Sequence, residues 1–178
     1  MAHFVLKNQQ SVTIRSIIRD DALERHKFFC KLSLAQIGML HSIDEIDEDP
    51  QESLEHIDDF ISNKRGLWLI ALDQEHKIIG EIDITIKSFR RVRHIGSLTM
   101  GVCPSIQGQG LGSLLMQEAL RWAKAQGLSR VELSVFASNI KAQNLYKKHG
   151  FTQEGLRKNY LNHGDNQFED DILLARLI

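Results

Sequence analysis

The chain has 178 residues, 42% of them hydrophobic and 25% charged, and its 22 Lys+Arg against 23 Asp+Glu leave a formal net charge of −1. Such values suit one globular domain large enough for its own core. They exclude a generic nucleic-acid binder, which carries a basic excess, and the longest apolar run, residues 67–72, is far short of the roughly 20 residues of a membrane span.

Residues 11–17 (Ser-Val-Thr-Ile-Arg-Ser-Ile) alternate and predict a strand. Asp20 or Asp21 then caps a helix with Ala22, Leu23, His26 and Phe29 at helical spacing, and a second helical piece is expected over 32–39. An acidic run follows. Pro50 opens a helix through Leu54, Ile57, Phe60 and Ile61. Three strands come next, over 67–73, 77–87 and 92–102, with turns at 73–76 and 89–91, so they are expected as antiparallel neighbours.

The second half begins with a glycine-rich loop, 104–112, and a helix over 111–126 that Gly127 ends. A strand at 131–136, a short helix at 139–149 stopped by Gly150, and strands at 151–160 and 172–177 complete the chain. The expected fold class is α/β with one mixed sheet, mostly antiparallel and parallel at one junction, in a single domain over 1–178.

Cys30 and Cys103 form no CxxC pair, and no histidine pair has a metal-ligand spacing. A disulfide framework, a metal site and a secretory leader are not expected, and the default setting is cytoplasmic.

The chemistry lies in the loop. Gln107-Gly108-Gln109-Gly110-Leu111-Gly112-Ser113 places three alternating glycines between a strand and a long helix. Glycine lets backbone N–H groups approach a ligand, and the helix start adds positive potential, so the segment is a phosphate cradle. A Walker A loop needs a lysine before Ser113, and the dinucleotide fingerprint needs G-x-G-x-x-G, so ATP, GTP and NAD fit less well.

This segment resembles the Q/R-x-x-G-x-G/A signature of the GNAT acetyltransferase superfamily. Asn139-Ile140-Lys141-Ala142-Gln143-Asn144-Leu145-Tyr146, continuing to Gly150-Phe151, is similar to a second element of that family. The resemblance covers about residues 11–178 and implies the GNAT fold, with its sheet splayed where acetyl-CoA binds. It implies that Gln107, Gly108, Gln109, Gly110, Gly112 and Ser113 hold the pyrophosphate. It implies that Met100 and Val102 meet the pantetheine arm through main-chain groups. It implies that Asn139 either bonds pantetheine or caps its helix, and that Tyr146 faces the sulfur as general acid.

Many relatives carry a glutamate near the position of Gly96 and Ser97. The base is therefore sought in Glu81, with Asp83 on the same strand face and His94 as alternatives. Seven carboxylates between 44 and 55 either attract a cationic acceptor or form a solvated face. Arg90, Arg91 and Arg93 either meet a phosphate or a substrate carboxylate or form a solvated turn.

The expected function is acetyl transfer from acetyl-CoA to a primary amine of a small molecule such as an amino acid. A polyamine or a protein N-terminus is the alternative acceptor. A non-catalytic acyl-CoA-binding module is the alternative of another class. No metal, nucleic acid or membrane is expected as a partner. A homodimer, with residues 172–178 near the interface, is compatible with the family.

Overall fold

The computed structural model describes residues 2–35, 39–41, 43–46 and 49–178. One eight-stranded sheet runs through it, in the order β1-β2-β3-β4-β5-β6-β8-β7. The strands are β1 (Ala2–Val5), β2 (Ser11–Ser16), β3 (Gly66–Leu72), β4 (Ile78–Ile86), β5 (Ile95–Val102), β6 (Arg130–Phe136), β7 (Thr152–Asn162) and β8 (Phe168–Leu177). The helices are α1 (Ala22–Leu34), α2 (Gln51–Ser62), α3 (Leu111–Ala125) and α4 (Ile140–Lys148).

The expected antiparallel run β3-β4-β5 is present, and so is the single parallel junction, between β5 and β6. Strand β1 was not expected; it forms a hairpin with β2 at one sheet edge. Helix α1 ends at Leu34, and residues 36–38 of the expected second helical piece lie outside the described residues. Strand β5 starts at Ile95 because residues 91–94 form a turn. Asp21 stands at the α1 N-cap position without capping by its side chain. Its carboxylate instead accepts from the Ile18 N–H at 2.9 Å and pairs with Arg15 at 2.7 Å. The last strand, β8, is paired on both sides, so the sheet edge at this end is β7.

The two sheet faces are covered by different helices. Gly80 and Gly96 face α3 and its following turn: a Cβ on Gly80 would meet Leu111 and Leu115, and one on Gly96 would meet Ile84 and Leu128. Leu111, Leu115, Met116, Ala119 and Ala123 of α3 are buried there, and each large apolar side chain contributes about 1.5–3 kcal/mol. Gly101 points the opposite way, where a Cβ would lie 2.6 Å from Leu32 and close to Phe28 of α1. Period-two alternation therefore places Glu81, Asp83 and Thr99 on the α1 face, and Met100 and Val102 on the α3 face.

A buried network fixes α1 and α2 to the sheet. Arg25 of α1 bonds Ser53 of α2 at 3.2 Å, lies 3.6 Å from Glu81 of β4 and stacks on Trp68 of β3. Both cysteines are free thiols, and no helix among the described residues is long and apolar enough to cross a membrane.

Gly96→Ala tests the packing at the β5–β6 junction. Its Cβ would come within 2.6 Å of Ile84 Cγ2, so denaturant unfolding should show a loss of about 1–3 kcal/mol.

Candidate functional site

The parallel pairing of β5 with β6 is short. Ile95, Gly96 and Ser97 pair with Arg130, Val131 and Glu132, and there it stops. Beyond that point β5 stays with β4 as far as Val102, while β6 stays with β8 as far as Phe136. The strands part, and a cavity of about 790 Å³ opens in the split.

Residues of both sheet faces line that cavity. Met100, Val102 and Val135 belong to the α3 face, and Thr99, Gly101 and Ser134 to the α1 face. The cavity therefore passes through the sheet.

The glycine-rich loop stands at the α3-face mouth. Gly110 is the N-cap of α3 with φ 96°, and Gly108 has φ 79°. Both conformations favour glycine. A Cβ at either position would meet nothing within 4 Å, so these glycines serve the backbone's shape and leave room beside it. Gly112 is different: its Cβ would press on Leu145 of α4 at 3.1 Å, so it lets α3 and α4 approach. The first N–H groups of α3 have no intrahelical acceptor and carry the positive end of the helix dipole. This is the shape and polarity that a pyrophosphate requires.

Gln107, Gly108, Gly110, Gly112 and Ser113 line the cavity, and so do Met100, Val102, Asn139 and Tyr146. Gln107 also donates to the Val102 carbonyl at 3.3 Å. Ser113 Oγ lies 3.2 Å from His149 Nε2. Burial, with Lys148 and Arg176 nearby, pushes the His149 pKa down. Gln109 is not on the wall; its carbonyl accepts from the Lys7 N–H at 3.1 Å. Asn139 caps α4 by accepting from the Ala142 N–H at 3.2 Å.

Tyr146 is 6% exposed and meets Phe151 edge-on, with ring centroids 5.9 Å apart. Burial pushes its phenol up to about 12, so it keeps its proton across the neutral range.

Glu81 is not on the cavity wall. Its carboxylate accepts from Trp68 Nε1 at 3.2 Å and pairs with Arg25, which is the physical reason it turns away from the split. Asp83, two residues along the same strand face, is not on the wall either, but it is in register with the wall residue Thr99. Burial, then the charge of Glu81, pushes the Asp83 carboxyl up to about 7. His94 and Arg90, Arg91 and Arg93 lie in the exposed turn and line no part of the cavity. Of the acidic run, Asp44, Glu45, Asp49, Glu52 and Glu55 are exposed and absent from the wall, and Asp47 and Glu48 lie outside the described residues.

Other wall residues were not singled out in the sequence. Lys7 comes from the β1–β2 hairpin and Lys148 from α4. Their signal is tertiary: the Lys7 backbone is docked onto the loop by its bond to Gln109, while the loop itself carries no lysine or arginine. Ser134, Arg157, Tyr160 and Asp171 approach from β6, β7 and β8.

Residues 34–151 match the acetyltransferase (GNAT) family. The chain belongs to that family. An acetyltransferase of the GNAT family from Streptococcus pneumoniae superposes with TM-score 0.85 at 33% identity, over 94% of this chain and 99% of that one. A GNAT phosphinothricin acetyltransferase from Sinorhizobium meliloti, solved in complex with acetyl-CoA, shares the fold with TM-score 0.81 at 19% identity, over 94% and 88%. The L-amino acid N-acetyltransferase AaaT of Escherichia coli is 27% identical over 122 residues, 66% of this chain and 72% of that protein. Other curated relatives are matched over less of their length: the chain spans 31% of a mycothiol acetyltransferase from Beutenbergia cavernae, at 43% identity.

Gly110→Asp should abolish acetyl-CoA binding in a calorimetric titration, because a carboxylate would enter the phosphate cradle. Gly108→Ala should weaken folding by roughly 1 kcal/mol for a left-handed alanine and also lower acetyl-CoA affinity, since its Cβ would fill the open room beside the loop backbone.

Proposed function

We propose that this GNAT domain transfers an acetyl group from acetyl-CoA to the primary amine of a small molecule such as an amino acid, by direct attack in a ternary complex. The observation that carries this reading is the split between β5 and β6, with a phosphate cradle on one face and an open polar wall on the other. A donor and an acceptor can enter from opposite sides and meet in the sheet. The matched GNAT neighbour holding acetyl-CoA and the relative named for amino acids support the two ligand classes.

Acetyl-CoA would supply an activated thioester. Gly108, Gly110, Gly112 and the α3 N-terminus would hold its pyrophosphate, aided by Lys7 from the neighbouring hairpin. Parted from β6, β5 presents main-chain groups from Leu98 to Val102 that can bond the pantetheine arm and polarise the thioester oxygen.

Only a neutral amine attacks a carbonyl carbon. The attacking nitrogen must shed a proton, and Asp83 is the carboxylate we assign to receive it through water. Its raised pKa matches a base working near neutrality. Glu81, paired with Arg25, serves as the fixed charge that helps raise Asp83. Tyr146 Oη holds its proton beside the split and donates it as a hydrogen bond to the departing sulfur. A phenol at about 12 is a weaker acid than an alkyl thiol at about 8.5. It therefore stabilises a thiolate by hydrogen bonding more readily than by giving up the proton.

A CoA-release assay against amino acids, polyamines and peptide N-termini tests the reading, and silence toward every amine would favour a binding module. Tyr146→Phe should lower kcat by about 10²-fold or more while acetyl-CoA affinity stays within about threefold, by less than 1 kcal/mol.

The pH dependence has a definite sign. Asp83 is protonated below its raised pKa, so kcat/KM should rise through an apparent pKa near 7 and level above it. In Asp83→Asn that inflection should vanish. The same shift makes the ionised carboxyl unfavourable in the fold, so stability falls as pH rises from the ordinary aspartate value through about 7. Asp83→Asn should flatten that slope in thermal melts.

A further inference from the structure

Four wall residues on the α1 side of the cavity are left unused by the proposed transfer chemistry. Asp171 of β8 sits opposite Phe136 of β6 and opposite Arg157 of β7, so three adjacent strands converge there. Asp171 is fully buried. Its Oδ2 accepts from Arg157 Nε at 2.8 Å and from Arg157 Nη2, and its Oδ1 has no partner. Nη2 also donates to Ser134 Oγ at 3.1 Å, and the guanidinium lies 3.8 Å from the Tyr160 ring centroid.

The guanidinium is thus held on three sides. Its Nε–Nη2 edge faces Asp171, Ser134 holds Nη2, and Tyr160 covers one flat face. The remaining nitrogen, Nη1, has no partner among the described residues, and the side chain is 40% exposed on the cavity. A buried ion pair is costly to desolvate and gives little net stability over apolar residues of like size. A pair that leaves one donor nitrogen free on a cavity wall has the form of an anion anchor.

The charge of the wall agrees. Among the described residues, Lys7, Lys141, Lys148 and Arg157 are its cations and Asp171 its one carboxylate, already paired. The acidic run that would have drawn a polycation is absent from the wall among the described residues. Ser134 and Thr99 lie on the same face across the split from each other, which places Arg157 on the side opposite the phosphate cradle.

We propose that Arg157 is the specificity-determining residue for the acceptor: its free Nη1 binds a carboxylate of the amine substrate, with Asp171, Ser134 and Tyr160 as positioning residues. The acceptor class is then an α-amino acid or another small amine carrying a carboxylate, not a polyamine. This rests on the acetyl-transfer reading above.

The test compares the most active free amino acid of a twenty-member panel, its α-amide and 1,4-diaminobutane. The wild-type chain should prefer the acid to its amide by about 10-fold or more in kcat/KM. Arg157→Gln should erase that preference, raising KM for the acid by about 10-fold or more relative to KM for the amide. The single variant strands a buried carboxylate, so Arg157→Met/Asp171→Leu, which removes both charges, is measured beside it with thermal melts of each. Titration of acid and amide into the CoA-saturated protein reads the anchor without turnover. Equal use or binding of acid and amide, a retained preference in folded variants, or preference for the diamine overturns the anchor. CoA release from no amine, with carboxylate-dependent binding intact, overturns the transfer reading and leaves the anchor standing.

Discussion

Everything in this site depends on one interrupted strand pairing. Strands β5 and β6 share three register pairs and then separate, each held by its other neighbour. A buried sheet that loses its ladder leaves main-chain polar groups without partners, and such groups need a bonding substitute. Gln107 supplies one by donating to the Val102 carbonyl. The remaining main-chain groups border the cavity, where a ligand can take the place of the missing strand. The helix that follows the split strand brings its N-terminus to the same opening, because only the eight residues 103–110 separate the ladder of β5 from the first turn of α3. Strand, loop and helix are thereby forced to present donors to one point.

The two faces of the sheet divide the labour. On the α3 face, apolar packing is dense, and Gly112 allows α4 close enough for Tyr146 to be buried at the split. On the α1 face, polar groups are kept and paired. Arg25 links Glu81, Ser53 and the ring of Trp68, while Arg157 links Asp171, Ser134 and Tyr160. Each network fixes the orientation of a charged group before any ligand arrives. Asp83, between Glu81 and Thr85 on its strand, lies where burial and a neighbouring negative charge both oppose ionisation. The result is two carboxylates on one strand in different states: one held in an ion pair, the other with its carboxyl pushed up to about 7.

Much of this was legible in the chain. Alternation over residues 77–87 and helical spacing over 111–126 are local patterns, and they place β4 and α3 within a residue or two. Gly108 and Gly110 were readable because a left-handed backbone before a helix has few sequence solutions. Strand β1 was missed because four residues at a chain end carry too little periodicity. Glu81 was drawn toward catalysis because alternation shows which face a carboxylate is on, but not which partner waits there. That partner, Arg25, is contributed by a helix about 56 residues earlier in the chain. The acidic run looked relevant by its density, yet density of charge says nothing of where a segment is carried.

The sequence by itself determined the elements, their order, the cradle and the family resemblance, since each follows from spacing along a few neighbouring residues. Only the tertiary structure decided the charge balance of the site. The net charge of −1 is a sum over the whole chain, whereas the cavity selects from it Lys7, Lys141, Lys148 and Arg157 against Asp171. These residues are brought together by a hairpin, a helix and two strands far apart in the chain. No local pattern encodes that meeting, because it is set by which strands pair and by where one pairing ends.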